Sequence, residues 1–206
     1  MGRKSISHIR KPEILLHTYK VVEDEGFMGM TIGKIANRMG VNSGLLIHYF
    51  KSKEGLIMEM VDYLFEISMT AYQQELEKHT DPRDRFEAMI GIMFDTTGKG
   101  PQRGAVFWSC YAMGFRNQGI RERILNIQKK FLEFGMAEIQ LWEESGLVQV
   151  PDKEKAMATI MGLSEGFGII RDSVKDLDSL EEIAASMKES ALKALGLSCF
   201  RDRPSL

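Results

Sequence analysis

Residues 31–50 constrain this chain most: Thr31-Ile-Gly-Lys-Ile-Ala-Asn-Arg-Met-Gly-Val-Asn-Ser-Gly-Leu-Leu-Ile-His-Tyr-Phe50. They predict two short helices and a tight turn. Ile32, Ile35, Ala36 and Met39 recur at helical spacing. Thr31 stands where a hydroxyl can accept from orphan backbone N–H groups. Gly40 falls where the chain must turn with positive φ, which costs little only for Gly. Asn42 or Ser43 can cap a second helix that runs through Phe50. Helices crossing near a right angle need a small residue at the crossing, and Ala36 supplies it. Ala36, Gly40 and Leu46 lie at the offsets of a helix-turn-helix that enters the major groove of duplex DNA. An αα-corner in an ordinary helical domain has the same spacing.

At about 100° per residue the second helix can be read face by face. With Leu46 inward, Phe50 and Tyr49 flank it on the buried side. Gly44 and His48 then point outward, Leu45 and Ile47 lie at the borders, and Ser43 stands at the N-terminus. A helix headed for solvent carries charges on its outer face. This face is small, neutral and partly apolar, which suits base edges and thymine methyls.

The run Thr31-Ile-Gly-Lys-Ile-Ala, followed by Gly40-Val-Asn-Ser-Gly-Leu-Leu-Ile-His-Tyr-Phe-Lys-Ser-Lys-Glu-Gly-Leu56, resembles the N-terminal domain of TetR-family transcriptional regulators. The Ser-Gly-x-x-x-His-Tyr-Phe version is similar to the BetI-type branch. Many members carry Thr and Tyr where this chain has Leu45 and Ile47. The resemblance implies an all-α fold of about nine helices. Residues 1–52 would form a three-helix DNA-binding domain with a basic arm over 1–11, and residues 53–206 an effector-binding and dimerisation domain. It also implies that His48, Tyr49 and Lys53 meet the DNA backbone or its edge. Thr31 and Lys34 would reach phosphates, and Ser43, Gly44 and Leu45 would govern sequence choice. The partner is then a palindromic operator in double-stranded DNA.

The net charge of −2 hides an asymmetry. Residues 1–53 carry nine Lys/Arg and four acids, a balance of +5, which leaves −7 for the remainder. A basic first quarter on an acidic body fits a DNA module joined to a domain with other business. No apolar h-region follows the basic start, and no apolar stretch approaches a membrane span. Cys110 and Cys199 form no CxxC pair. These features predict a cytoplasmic protein in a reducing compartment, without membrane insertion.

Downstream, the spacing predicts helices throughout. Pro12 suits the first turn of an opening helix that Gly26 ends. Ser52 caps a long helix from Lys53 to about Lys78, apolar on more than one side. Asp81-Pro82 opens the next, and Gly98-Lys-Gly-Pro101 reads as a loop. An aromatic helix covers 104–117. The seventh runs from about Ile120 to Ser145, and Asp152 caps the eighth. Ser179-Leu-Glu-Glu182 matches a capping box for the ninth, which ends at Gly196. Residues 197–206 read as frayed.

The chain holds fourteen Met, most of them beyond the helix-turn-helix, together with many aromatics. Met fills irregular or adaptable cavities. The resemblance implies a small-molecule site, for which Phe65, Met69, Tyr72, Phe94, Trp108, Tyr111 and Phe131 are candidates, while for any one of them plain core packing is the simpler explanation. Glu165 stands in an apolar stripe of helix eight. It can meet a cationic ligand, pair with Arg116 or Arg171, or face water. Aromatic faces can hold a cation, so a small quaternary amine is conceivable. The effector itself stays unnamed. Gly162, Gly166, Gly168 and Ser164 on helix eight, with Ile183, Ala184, Met187, Ala191 and Leu195 on helix nine, read as a homodimer interface or as an internal hairpin.

No HExxH, GxSxG or phosphate-binding Gly-rich loop is present, so an enzyme is disfavoured. No cofactor and no metal site is expected. Two readings remain: a ligand-responsive regulator, most simply a repressor released by its effector, or a constitutive or architectural DNA-binding protein.

Overall fold

A computed structural model of the chain describes residues 7–98, 104–174 and 178–197. These residues form nine helices and no strand: α1 (Ser7–Gly29), α2 (Ile32–Met39), α3 (Ser43–Phe50), α4 (Lys53–Leu76), α5 (Pro82–Met93), α6 (Ala105–Gly114), α7 (Gln118–Glu144), α8 (Lys153–Ser173) and α9 (Leu180–Ala194). Among the described residues, no helix is long and apolar enough to cross a membrane. The chain divides into two compact units, Met1–Glu66 with Ala105–Leu125, and Ile67–Gly104 with Asn126–Leu206. The first unit thus takes in α6 and the opening of α7 beside the helix-turn-helix.

In the first unit, α1 begins at Ser7, so Pro12 stands inside the helix rather than in its first turn. This corrects the expectation of an arm through residue 11; residues 1–6 lie outside the described ones. Arg10 and Lys11, the two basic residues just before Pro12, are tied down. Arg10 pairs with Glu13 at 2.9 Å, and Lys11 with Glu59 at 2.9 Å. The Lys11 ammonium also lies 5.6 Å from the centre of the Phe50 ring, within cation–π range. At Gly26 the helix breaks, with φ 68 and ψ 172, a conformation that favours glycine. The core of this unit is mostly apolar, with Thr18 fully buried and its hydroxyl donating to the Ile14 carbonyl at 2.8 Å. Ile14, Met30, Ile35, Leu46, Leu56 and Met60 are fully buried.

In the second unit, Asp81 caps α5 by accepting from the Arg83 backbone N–H at 2.7 Å, and Pro82 follows at the first helical position. Asp152 caps α8 by accepting from the Lys155 N–H at 3.0 Å. Helix α7 stops as its sequence predicts. Gly146 takes φ 74, and the Leu147 N–H donates back to the Trp142 carbonyl at 2.9 Å. The core gathers Leu76, Phe86, Ile90, Phe94, Ile139, Trp142, Ile160 and Phe167.

One expectation fails in this unit, and one alternative gains weight. The capping box at Ser179 does not form. Ser179 has φ −94 and ψ 11, not the extended backbone that swings a hydroxyl over the first turn, and its side chain makes no cap bond. The stripe read as an interface on α9 is largely internal. Ala184, Ala191 and Leu195 are buried in the unit's own core, while Ile183 and Met187 pack at its edge. Residues 99–103 of the expected loop, the expected frayed end from 198 on and Cys199 lie outside the described residues.

Candidate nucleic-acid interface and effector site

Local chemistry sets the geometry of α2 and α3. The Thr31 hydroxyl accepts from the Lys34 backbone N–H at 3.2 Å. Gly40 closes α2 in the left-handed region, with φ 66 and ψ 31, and its N–H reaches the Ala36 and Asn37 carbonyls. Asn42 caps α3, accepting from the Gly44 N–H at 2.7 Å. Of the two caps weighed for α3, Asn42 is the one used. The Ser52 hydroxyl then accepts from the Gly55 N–H at 3.0 Å and opens α4.

The faces of α3 fall where helical phase puts them. Leu46 and Phe50 are buried. Ser43, Gly44 and His48 are exposed, Leu45 and Tyr49 half-buried, and Ile47 is exposed at the border. His48 and Tyr49 stack edge to face at 5.4 Å between centroids. No acid lies on α3, so its N-terminal dipole and outer face are free of negative charge.

The cations around this face are engaged. The Lys53 ammonium donates to the Phe27 carbonyl at 3.4 Å, and Lys51 to the His48 carbonyl at 3.0 Å. On α2, Lys34 pairs with Glu25 and donates to the Gly29 carbonyl at 3.0 Å, while Arg38 pairs with Asp24 at 2.7 Å. Residue-by-residue reading missed Arg38, Asp24 and Glu25. The signal was present: Arg38 lies seven residues after Thr31 on the exposed side of α2, and three acids precede Gly26. Beside Lys53, the Glu54 carboxyl is held below the usual carboxylate range. Its own backbone N–H and the Ser52 hydroxyl bond to it.

The candidate effector residues fall into separate groups. Phe65, Trp108 and Tyr111 belong to the first unit, where they join Phe107 in one aromatic cluster. Phe65 and Phe107 are 5.3 Å apart, Trp108 and Tyr111 5.7 Å. Met69, Tyr72, Phe94, Phe131 and Glu165 belong to the second. Tyr72 meets Phe131 edge to face at 5.8 Å, Phe94 meets Phe167 at 6.0 Å, and Met69 is half-buried.

Glu165 accepts from the Gln128 amide at 2.6 Å. Arg171, one of the partners weighed for Glu165, is engaged elsewhere. Six residues along a helix turn the side chain some 120° away from alignment, and Arg171 instead binds Asp172 and the Asp95 carbonyl. No group of three or more His, Cys, Asp or Glu among the described residues is arranged to hold a metal ion.

Residues 14–60 match the family model for "Bacterial regulatory proteins, tetR family". A curated HTH-type transcriptional regulator BetI from Stenotrophomonas maltophilia (strain R551-3) is 26% identical over 113 residues, 53% of this chain and 58% of that protein. The regulator of the same name from Rhizobium meliloti (strain 1021) is 24% identical over 194 residues, 94% of this chain and 93% of that one. The chain spans about half the length of several other relatives of that name. A solved TetR transcription regulator from Haloarcula marismortui ATCC 43049 superposes with a TM-score of 0.75 at 18% identity, covering 91% of this chain and 97% of that one. That likeness establishes the fold.

Proposed function

We propose that this chain, whose residues 14–60 match the model of the tetR family of bacterial regulatory proteins, is a cytoplasmic, ligand-responsive transcriptional regulator of that family. It binds a palindromic operator as a homodimer and releases it when a small molecule binds. One observation carries the DNA-binding half. Helix α3 buries Leu46 and Phe50 and turns Ser43, Gly44 and His48 outward with no acid among them. Ser43, Gly44 and Leu45 read the major groove. Thr31, Lys34, His48, Tyr49 and Lys53 meet the backbone, since ammonium groups neutralise phosphate and hydroxyls donate to it.

The homodimer uses α8 and α9, which pack against each other. With much of the apolar stripe of α9 buried, the outer face of α8 is the better candidate seat. Ala158, Thr159 and Gly162 are exposed there, Gly166 is half-buried, and a Cβ at either glycine would meet open space. Small residues let a second helix approach closely.

The effector half rests on the residues of the second unit, Met69, Tyr72, Phe94 and Phe131, with Glu165 and Gln128 as the polar pair. Helix α4 supports a coupling route, being continuous from Lys53 to Leu76 and carrying Phe65, Met69 and Tyr72 on the way. An effector need prefer the DNA-incompetent state by only about 1–3 kcal/mol to relieve repression.

Two measurements test this reading. Selection of bound duplexes from a random pool should return an imperfect palindrome with half-sites about one helical turn apart, or a small multiple of that. A thermal-shift screen of small metabolites, quaternary amines included, should find a ligand that raises the melting temperature. Trp108 and Trp142 fluorescence then reports its affinity with and without operator, and linkage requires operator to weaken it. Ligands that bind equally tightly in both states would favour a constitutive DNA-binding protein instead.

A further inference from the structure

We infer that Asp24 and Glu25 are built-in competitors for DNA phosphate: they hold Lys34 and Arg38 in ion pairs and so lower the affinity for duplexes of any sequence. The inference rests on the proposal that the outer side of α2 meets the DNA backbone, and it adds Arg38 to that surface.

Thr31, Lys34 and Arg38 recur at three- and four-residue spacing, and all three are exposed, so they share one side of α2. The two cations on that side are already neutralised. Lys34 pairs with Glu25, and Arg38 with Asp24 at 2.7 Å. A carboxylate presents a cation with the charge and the oxygen acceptors that a phosphate would.

The backbone favours this arrangement. Gly26 breaks α1 immediately after Glu25, which leaves Asp24 and Glu25 in the last turn of the helical stretch. Carboxylates are disfavoured at that negative end of a helix, and the two cations offset the cost. Gly29 completes the seat. A Cβ there would stand 2.9 Å from the Glu25 Cβ and 3.3 Å from its Oε2, so any larger residue would displace the carboxylate that reaches Lys34. The Gly29 carbonyl takes a second hydrogen bond from the same ammonium at 3.0 Å.

All four side chains are between 41% and 55% exposed. Exposed ion pairs are weak, weak enough to open when a phosphate arrives. Every duplex, specific or not, must exchange a carboxylate for a phosphate at both cations. The background of sequence-independent binding is thereby held down, and the base contacts of α3 weigh more in the choice of site.

The test is titration of the full chain onto a labelled random-sequence duplex across about 50–200 mM salt. Four proteins are compared: wild type, D24N/E25Q, K34A/R38A and the combination of all four substitutions. The D24N/E25Q protein should bind up to about tenfold more tightly. Its log K against log salt should be somewhat steeper, because salt weakens the carboxylate competition in the wild type and that relief is absent once the acids are gone. In the K34A/R38A background the acid substitutions should add little.

An unchanged salt slope in K34A/R38A would overturn the assignment of α2 to the DNA backbone. A shallower slope in K34A/R38A, with unchanged or weaker binding by D24N/E25Q, would show that the acids only position the cations. Equal tightening by D24N/E25Q in both backgrounds would reduce the effect to general charge. Either of these last two results overturns the competition while leaving the α2 assignment standing.

Discussion

Gly55 lies so close to the Phe50 carbonyl that a methyl group in place of its hydrogen would sit far inside van der Waals contact with that oxygen. The chain there leaves α3 and enters α4 within two residues, and Lys51 takes a positive φ of 66 to make the turn. Backbone, not a yielding side chain, blocks the space. Gly55→Ala should therefore destabilise the fold by about 1–3 kcal/mol, as overpacking does. Urea unfolding measures this, and stability equal to wild type would show that the turn is looser than described.

Gly44 donates to its own cap, Asn42, at 2.7 Å, and a Cβ at Gly44 would stand 3.1 Å from that cap oxygen. The Asn42 side chain must give by only a few tenths of an ångström, so Gly44→Val should fold with a small loss of stability. It adds bulk on the outward side of α3, where close approach to bases is needed. Affinity for the preferred duplex should fall by at least about tenfold. If the variant footprints the same site with the same affinity, the outward face of α3 does not meet DNA.

Arg85 binds Glu138 through two nitrogens and donates to the Leu76 carbonyl at 2.8 Å, tying α5 to α7 and to the end of α4. The two side chains are 20% and 5% exposed. Arg85→Ala strands a buried carboxylate and should cost about 3 kcal/mol. Replacing both partners, as R85M/E138L, should recover much of that loss, because no charge is left unpaired. Thermal unfolding of the two variants separates a paired charge from simple packing. Equal losses in both would mean that shape, not charge, is what the pair supplies.

What was legible in the sequence follows the range of the forces involved. Thr31, Gly40, Asn42, Ser52, Asp81-Pro82 and Asp152 all act within about four residues, and each stands where its chemistry predicts. The inward set Leu46 and Phe50 followed from helical phase alone. Long-range partners did not follow. Glu165 took Gln128, 37 positions away, and the acids that hold Lys34 and Arg38 are 9 and 14 residues off on another helix. The α9 stripe stayed open in the sequence because an internal hairpin and a subunit interface ask for the same spacing, and burial is what adds weight to the first. Ser179 misled because a capping box also needs an extended backbone, which its letters do not encode.

Cys110 is 1% exposed, and burial pushes its thiol up from 9.0 to about 12. Two consequences follow. The native thiol should resist alkylation at pH 8 and react once the chain is unfolded, as mass spectrometry of peptides containing Cys110 can read. Stability should also fall with alkaline pH. Below pH 9 both states carry the proton; from 9 to about 12 the unfolded chain loses it while the folded chain keeps it, so the fold loses ground across that window. Replacing Cys110 with Ala should remove this contribution. Rapid native alkylation at Cys110 would contradict the burial.

The most direct test of the whole account is a paired titration of the wild-type chain, once on a duplex selected from a random pool and once on a scrambled duplex of the same composition. Native mass spectrometry reads the stoichiometry of each complex. The account predicts two protomers on the selected duplex and a preference over the scrambled one of at least about a thousandfold at physiological salt. Equal affinity for the two sequences, or a single protomer on an asymmetric site, would contradict it.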